Sequence, residues 1–284
     1  MSGRRRLPLA WIVTLPFFAY TLLFMFLPAG SVLIGAFEGK THGYTISNVT
    51  TLFHHPYIDA FKTSIEISGT TALIGGAVGL AVAYAAIREG TPRWVRSALT
   101  TFSGVAANFG GIPLAFAFIS TLGPLGIITV FGRSHGWDPT AHGFSLFSKT
   151  GVELAYMYFQ LPLMILVIAP AIDGLRKEWR EASSNLGASQ LQFWRYVGIP
   201  VLMPSLLGAI ILLFGNAFAA YATAYSLTAG TVNIVPILIG AYYSGNVLNN
   251  PHLAQAMAFG MFVVLALMMV AYIPLQRRAA RWAK

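Results

Sequence analysis

The chain has no cysteine, which excludes disulfide frameworks, thiolate metal sites and cysteine nucleophiles. It is also poor in charge: 10% of its 284 residues are Asp, Glu, Lys or Arg, against roughly 25% in an ordinary soluble domain. Acids are the scarcer sign, nine against 18 Lys and Arg, and they and the six histidines are scattered over separate loops. An enzyme would need a clustered catalytic set, and this scatter offers none, so the expected catalytic list is empty and no metal site is expected. What fills the space is apolar, 56% of the chain. No polar stretch is long enough to bury a soluble core of its own.

Apolar runs of about 20 residues, enough to cross a hydrocarbon core of ~30 Å as helices, recur along the sequence. They predict an all-α membrane protein, a single transmembrane domain over residues 1–284 with six spans near 10–36, 65–87, 98–121, 151–172, 201–228 and 254–275. The piece "LGPLGIITVFG" at 122–132 is about half a span long and broken by Gly123, Pro124 and Gly126, so it reads as re-entrant or interfacial. The first run follows a basic stretch, as in a signal peptide. Its length from Leu9 to Phe37 and the lack of a clear small-residue cleavage site predict a retained anchor.

Fourteen Lys and Arg lie at the N-terminus (Arg4, Arg5, Arg6), the second loop (Arg88, Arg93, Arg96), the fourth loop (Arg176, Lys177, Arg180, Arg195) and the tail (Arg277, Arg278, Arg281, Lys284). Only four, Lys40, Lys62, Arg133 and Lys149, fall on the other side. Basic residues near span ends are retained in the cytoplasm, so both termini are expected there. His42, His54, His55, His135, His142 and His252 then lie outside.

The cytoplasmic segment at about 173–200 is the most structured of the loops. "DGLRKEWREASSNL", Asp173 to Leu186, suits a helix, and Gly187 follows as a residue that accepts the left-handed conformation ending helices. Ser189 with Gln192 three residues on matches a capping box, opening a second helix through Leu191, Phe193, Trp194, Tyr196 and Val197, which Gly198 and Pro200 are expected to stop.

"EASSNLGASQLQFWRYVGIPVLMPS" resembles the EAA loop of the membrane subunits of binding-protein-dependent ABC importers. Glu181, Ala182, Gly187 and Pro200 match that family's spacing, while Ser183, Val197 and Ile199 depart mildly from its pattern. The resemblance implies the type I ABC importer (MetI-like) permease fold and a coupling element that docks into a cleft on a separate cytoplasmic ATPase. It implies docking roles for Glu181, Ala182 and Gly187, with Leu186, Phe193 and Trp194 as packing or contact residues. ATP and magnesium would reside on that ATPase, with no cofactor in this chain. The other implied partners are a second permease subunit, the same or related, and an extracytoplasmic substrate-binding protein. The implied setting is a bacterial inner membrane. "IPLAFAFISTLGPLGIIT" points toward the polyamine branch, with phosphonate, thiamine, ferric iron, sulfate and sugar branches as alternatives.

Other motifs read blandly. "GAFEGKT", Gly35 to Thr41, has one residue too few between its glycines for a phosphate-binding loop. Two short helices around Gly187 could suggest a helix-turn-helix, but flanking spans leave no supporting helix, so no nucleic acid is expected. "TLFHHPYIDAFKTSI" reads as an interfacial helix rather than a metal site, and "NVT" at Asn48 as a chance glycosylation triplet.

Within the spans, Asn108, Gln160, Asn216, Tyr221, Thr223 and Tyr225 are candidates for the translocation path, because polar groups in a membrane usually face a bundle interior or a wet cavity. "ANFGGIP", Ala107 to Pro113, is an interruption where freed backbone could line that path. Close packing at the glycines is the competing reading. Glu66 and Glu153 are the only residues that could sustain the rival class, an ion-coupled carrier. A larger, charged residue at Gly187, as in Gly187→Asp, is expected to spoil the turn and abolish uptake.

Overall fold

The computed structural model describes residues 9–39, 43–87, 91–137, 141, 143–244 and 249–280. Arg4, Arg5, Arg6, Lys40, Thr41, His42, Arg88, His142, Arg281 and Lys284, and with them both termini, lie outside the described residues. The helices are α1 (Leu9–Thr21), α2 (Leu27–Gly35), α3 (Ser47–Thr51), α4 (Tyr57–Ile87), α5 (Arg93–Ala106), α6 (Gly111–Leu122) and α7 (Ile127–Ser134). They continue with α8 (Lys149–Asp173), α9 (Lys177–Asn185), α10 (Gln190–Phe193), α11 (Ile199–Phe218), α12 (Ala222–Thr228), α13 (Val235–Ser244) and α14 (Pro251–Ala280). Among the described residues, six stretches are long and apolar enough to cross a membrane: Thr14–Gly35, Tyr57–Ile87, Gly111–Ser134, Lys149–Asp173, Gln190–Phe218 and Pro251–Arg278.

Two of these long helices contain a wide turn with i→i+5 hydrogen bonds, at Leu22–Phe26 and at Trp194–Gly198. Each ends two residues before a proline, Pro28 or Pro200. Proline has no N–H to donate and its ring clashes with the carbonyl four residues back. In both places the residue before the proline donates instead to a carbonyl five back, Leu27 to Leu22 and Ile199 to Trp194, which lets the helix pass the proline unbroken. Gly198 and Pro200 therefore do not stop the second hairpin helix, contrary to the sequence expectation.

The chain divides into two compact units. In the unit of residues 1–58 and 238–263, Gly35 lets α2 meet α14 closely: a Cβ there would stand 2.1 Å from Gln255 Oε1. The Asn48 amide donates to the Glu38 carbonyl at 2.8 Å, and the Tyr57 and Tyr242 hydroxyls share a hydrogen bond of 2.7 Å. The glycines of "GAFEGKT" belong to the end of α2 and a turn: Glu38 bridges to Tyr44, and Gly39 N–H donates to Gly43 O at 2.8 Å.

In the unit of residues 59–237 and 264–284, α4 packs on α8 through glycines. A Cβ at Gly75 would meet Gln160 Cβ at 3.0 Å, and one at Gly79 would meet Met164 Cβ at 2.6 Å. Small residues allow such close approach where lipid offers no hydrophobic drive between helices. The core beside them gathers Ile67, Leu114, Val152, Tyr156, Phe159 and Leu227, and the Tyr156 hydroxyl donates to Ala220 O at 2.7 Å.

Three boundaries differ from expectation. The region 98–121 is two helices, α5 and α6, separated at Ala107–Gly110, and the membrane-length apolar stretch is Gly111–Ser134, which takes in the segment read as re-entrant. The region 201–228 also breaks, between α11 and α12. Tyr57, not residue 65, opens the second long helix, so all of "YIDAFKTSI" belongs to α4 rather than to a separate interfacial helix.

Candidate functional site

The first candidate is the hairpin of α9 and α10. Its first helix begins at Lys177, because Asp173 is the last residue of α8 and Arg176 is the extended N-cap. Gly187 has φ of +75°, the left-handed conformation its place in the sequence predicts. Around it Gly187 N–H donates to Ser184 O at 2.9 Å and Ala188 N–H to Ser183 O at 3.0 Å, the paired 5→2 and 6→1 bonds of a Schellman motif. The capping box follows at once: Ser189 N–H donates to Gln192 Oε1 at 2.7 Å, and Gln192 N–H to Ser189 Oγ at 3.3 Å. Back-to-back caps fix the angle between the helices without any long-range contact.

The side chains divide by exposure. Glu181, Ala182 and Gly187 are exposed, and Leu186 is 88% exposed. Phe193 is 6% exposed, so it packs inside rather than offering a contact. Trp194 is half-buried with its ring 4.6 Å from that of Tyr84 on α4, edge to face. Pro200 is part of the helix that follows, behind the wide turn. Leu191, 79% exposed, and exposed Tyr196 belong with the outer set. Both fall in the expected second helix but are not among the expected docking residues, although Leu191, two residues after the capping serine, is a readable signal.

The second candidate is a cavity of about 230 Å³ lined by Asn108, Asn216, Tyr221 and Thr223 with Gly110 and Gly111. It sits where two helices break, between α5 and α6 and between α11 and α12. Gly111, with φ of +72°, donates its N–H to Thr223 Oγ1 at 2.7 Å, tying the breaks together. The Asn108 amide donates to Gly104 O at 2.9 Å. No charged side chain is among the described residues that line it.

The structure thus gathers four of the six path candidates. Gln160 is fully buried elsewhere, its Nε2 donating to Leu213 O at 2.9 Å and its Oε1 without a partner. Tyr225 is outside the lining, stacked on Tyr221 with ring centroids 5.3 Å apart. Glu66 is ion-paired with Lys149, and Glu153 accepts from Thr70 Oγ1 at 3.0 Å.

Residues 143–282, the part holding the hairpin, match the family model described as "Binding-protein-dependent transport system inner membrane component". The match spans just under half of the chain's 284 residues. Among curated relatives, a probable sulfate transport system permease protein cysT of Nephroselmis olivacea is 25% identical over 238 residues, covering 81% of this chain and 77% of its own. The sulfate transport system permease protein CysW of Synechocystis is 26% identical over 269 residues, 90% and 87% of the two chains. A bacterial ABC transporter involved in the import of the acidic polysaccharide alginate shares the fold, with a TM-score of 0.75 at 18% identity and 95% coverage of both chains. That likeness shows the fold, an all-helical membrane architecture shared with this transporter. The polyamine branch is not supported: these relatives are sulfate permeases.

Proposed function

We propose that the chain forms the translocation path of an ABC importer for a small inorganic oxyanion, sulfate being the first candidate, and couples it to a cytoplasmic ATPase through α9 and α10. The observation that carries the coupling role is the hairpin itself, capped on both sides of Gly187, exposing Glu181, Ala182 and Leu186, and running through α10 without interruption into α11. A rigid knob continuous with a spanning helix passes motion from a partner into the membrane. Gly187 sets the turn, Phe193 and Trp194 brace the knob on its own protein, and Leu186 and Leu191 are the apolar contacts for the ATPase cleft.

The cargo reading rests on the sulfate permeases among the relatives and on the cavity chemistry. Asn108, Asn216, Tyr221 and Thr223 are neutral groups that hydrogen-bond an oxyanion, and the lack of carboxylates among the described lining residues disfavours a polycation. Tyr225 flanks that cavity and Gln160 acts in packing α8 on α11. A second permease subunit, an extracytoplasmic binding protein and an orientation with both termini in the cytoplasm complete the proposal. Labelled sulfate uptake in a bacterium stripped of its own sulfate permeases, supplied with this chain and its neighbouring subunits, tests it. Saturable, ATP-dependent sulfate uptake is expected, reduced by Thr223→Val and Asn216→Leu. Uptake of spermidine in place of sulfate overturns the cargo assignment.

A further inference from the structure

The basic residues beside the coupling hairpin do more than mark a side of the membrane. Arg96, Arg176, Lys177 and Arg180 line one cavity of about 250 Å³, and the single carboxylate among the described residues of its wall, Asp173, is ion-paired with Arg96. Arg180 donates to the Tyr84 hydroxyl at 2.9 Å and lies 5.8 Å over the Phe193 ring, and Arg176 lies 5.8 Å over Trp179. These partners are neutral, and each guanidinium has further donors to offer. The cavity also borders the start of α9, whose first-turn amides have no side-chain cap at Arg176. Cations at that helix end oppose its dipole, an arrangement that an anion relieves. Glu178 in the first turn offsets part of this charge but does not line the cavity.

Tyr84, Ile172 and Trp194 also wall a second cavity of about 310 Å³. Its other walls are apolar, including Leu80, Ile199, Leu202 and Leu206 from the spanning helices α4 and α11. A basic chamber that shares three walls with an apolar groove fits an amphiphile, not a free anion, which would use the chamber alone, nor an acidic protein segment, which would leave the groove empty. Basic pockets between spanning helices on the cytoplasmic side recognise anionic headgroups.

We propose that the paired cavity is a binding site for an anionic phospholipid, its phosphodiester held by Arg176 and Arg180 and an acyl chain lying along Leu80, Leu202 and Leu206. The proposal rests on the membrane reading of the spans and on the sidedness given by the basic residues. A lipid held there wedges against Trp194, in the wide turn that joins the hairpin to α11, and braces the coupling element from the membrane side.

The test uses the full-length protein in phosphatidylcholine micelles, titrated with phosphatidylglycerol or phosphatidylcholine carrying brominated acyl chains. Bromine quenches nearby tryptophan, and subtracting the Trp194→Phe signal isolates Trp194 among the chain's six tryptophans. Brominated phosphatidylglycerol is expected to quench that component at a several-fold lower mole fraction than brominated phosphatidylcholine. Arg176→Gln and Arg180→Gln are each expected to weaken the preference about fivefold. Native mass spectrometry of retained lipids reads the same preference in the wild type should a variant fail to stay monodisperse. Equal quenching by the two lipids overturns the proposal. So does displacement by inorganic phosphate at matched concentration, which would make the site one for a free anion, or by the partner ATPase, which would make it a protein contact. Retention of the ATPase is scored separately on the same preparation, so either reading can fail alone.

Discussion

At the scale of single residues, glycines act here in two opposite ways. Gly79 is needed for space, since an added Cβ would stand 2.6 Å from Met164 Cβ and 3.1 Å from Leu161 O. Gly79→Val is expected to destabilise the protein by about 1–3 kcal/mol through overpacking, read as a lower unfolding temperature in detergent. Gly187 is needed for its backbone: with φ of +75°, a Cβ there meets nothing within 4 Å. A larger, charged residue therefore has room at the turn, contrary to the expectation that it would spoil it, and Asn and Asp tolerate the left-handed conformation. Gly187→Val is expected to cost about 1–2 kcal/mol of backbone strain and loosen the hairpin. Gly187→Asp should keep the turn and the inserted protein yet lose uptake, because its charge lies on the docking face. Equal uptake by Gly187→Asp and wild type would remove Gly187 from that face. The glycine turn and the capping box were legible because they are local. The burial of Phe193 was not, since it depends on helices distant in sequence.

At the scale of elements, the wide turns before Pro28 and Pro200 explain the main misreading of the hairpin. Proline normally ends a helix at the residue before it, so the sequence placed a stop at Gly198 and Pro200. The structure absorbs the missing donor in one i→i+5 turn, and α10 continues into α11. Pro200→Ala restores an N–H and is expected to let the turn relax to regular α-helix, rotating the hairpin about 100° relative to α11. The expected result is unchanged insertion and thermal stability with uptake strongly reduced. Full uptake would separate the wide turn from coupling. The third span shows the reverse limit. Its membrane-length apolar stretch opens only at Gly111, after the break at Ala107–Gly110 that separates it from amphipathic α5. "ANFGGIP" did mark that break, because glycines and a proline in an apolar run are a local signal.

At the scale of the whole molecule, span number and class could be read from hydropathy alone, since a membrane imposes length and composition on every helix that crosses it. The gathering of Asn108, Asn216, Tyr221 and Thr223 around one cavity could not be, because residues far apart in sequence meet only through the packing of α6, α11 and α12. Sidedness is directly testable, since a chain without cysteine accepts single reporters cleanly. Ser184→Cys is expected to react with an impermeant maleimide only in inverted vesicles, and Ser134→Cys only in intact cells. The central claim is that the hairpin engages an ATPase. The most direct measurement is affinity purification of the full chain in mild detergent, with mass spectrometry of what stays bound. The account predicts an ATPase retained by wild type and lost with Glu181→Lys or Leu186→Glu while the protein stays monodisperse. An ATPase absent from wild type, or retained equally by both variants, would contradict it.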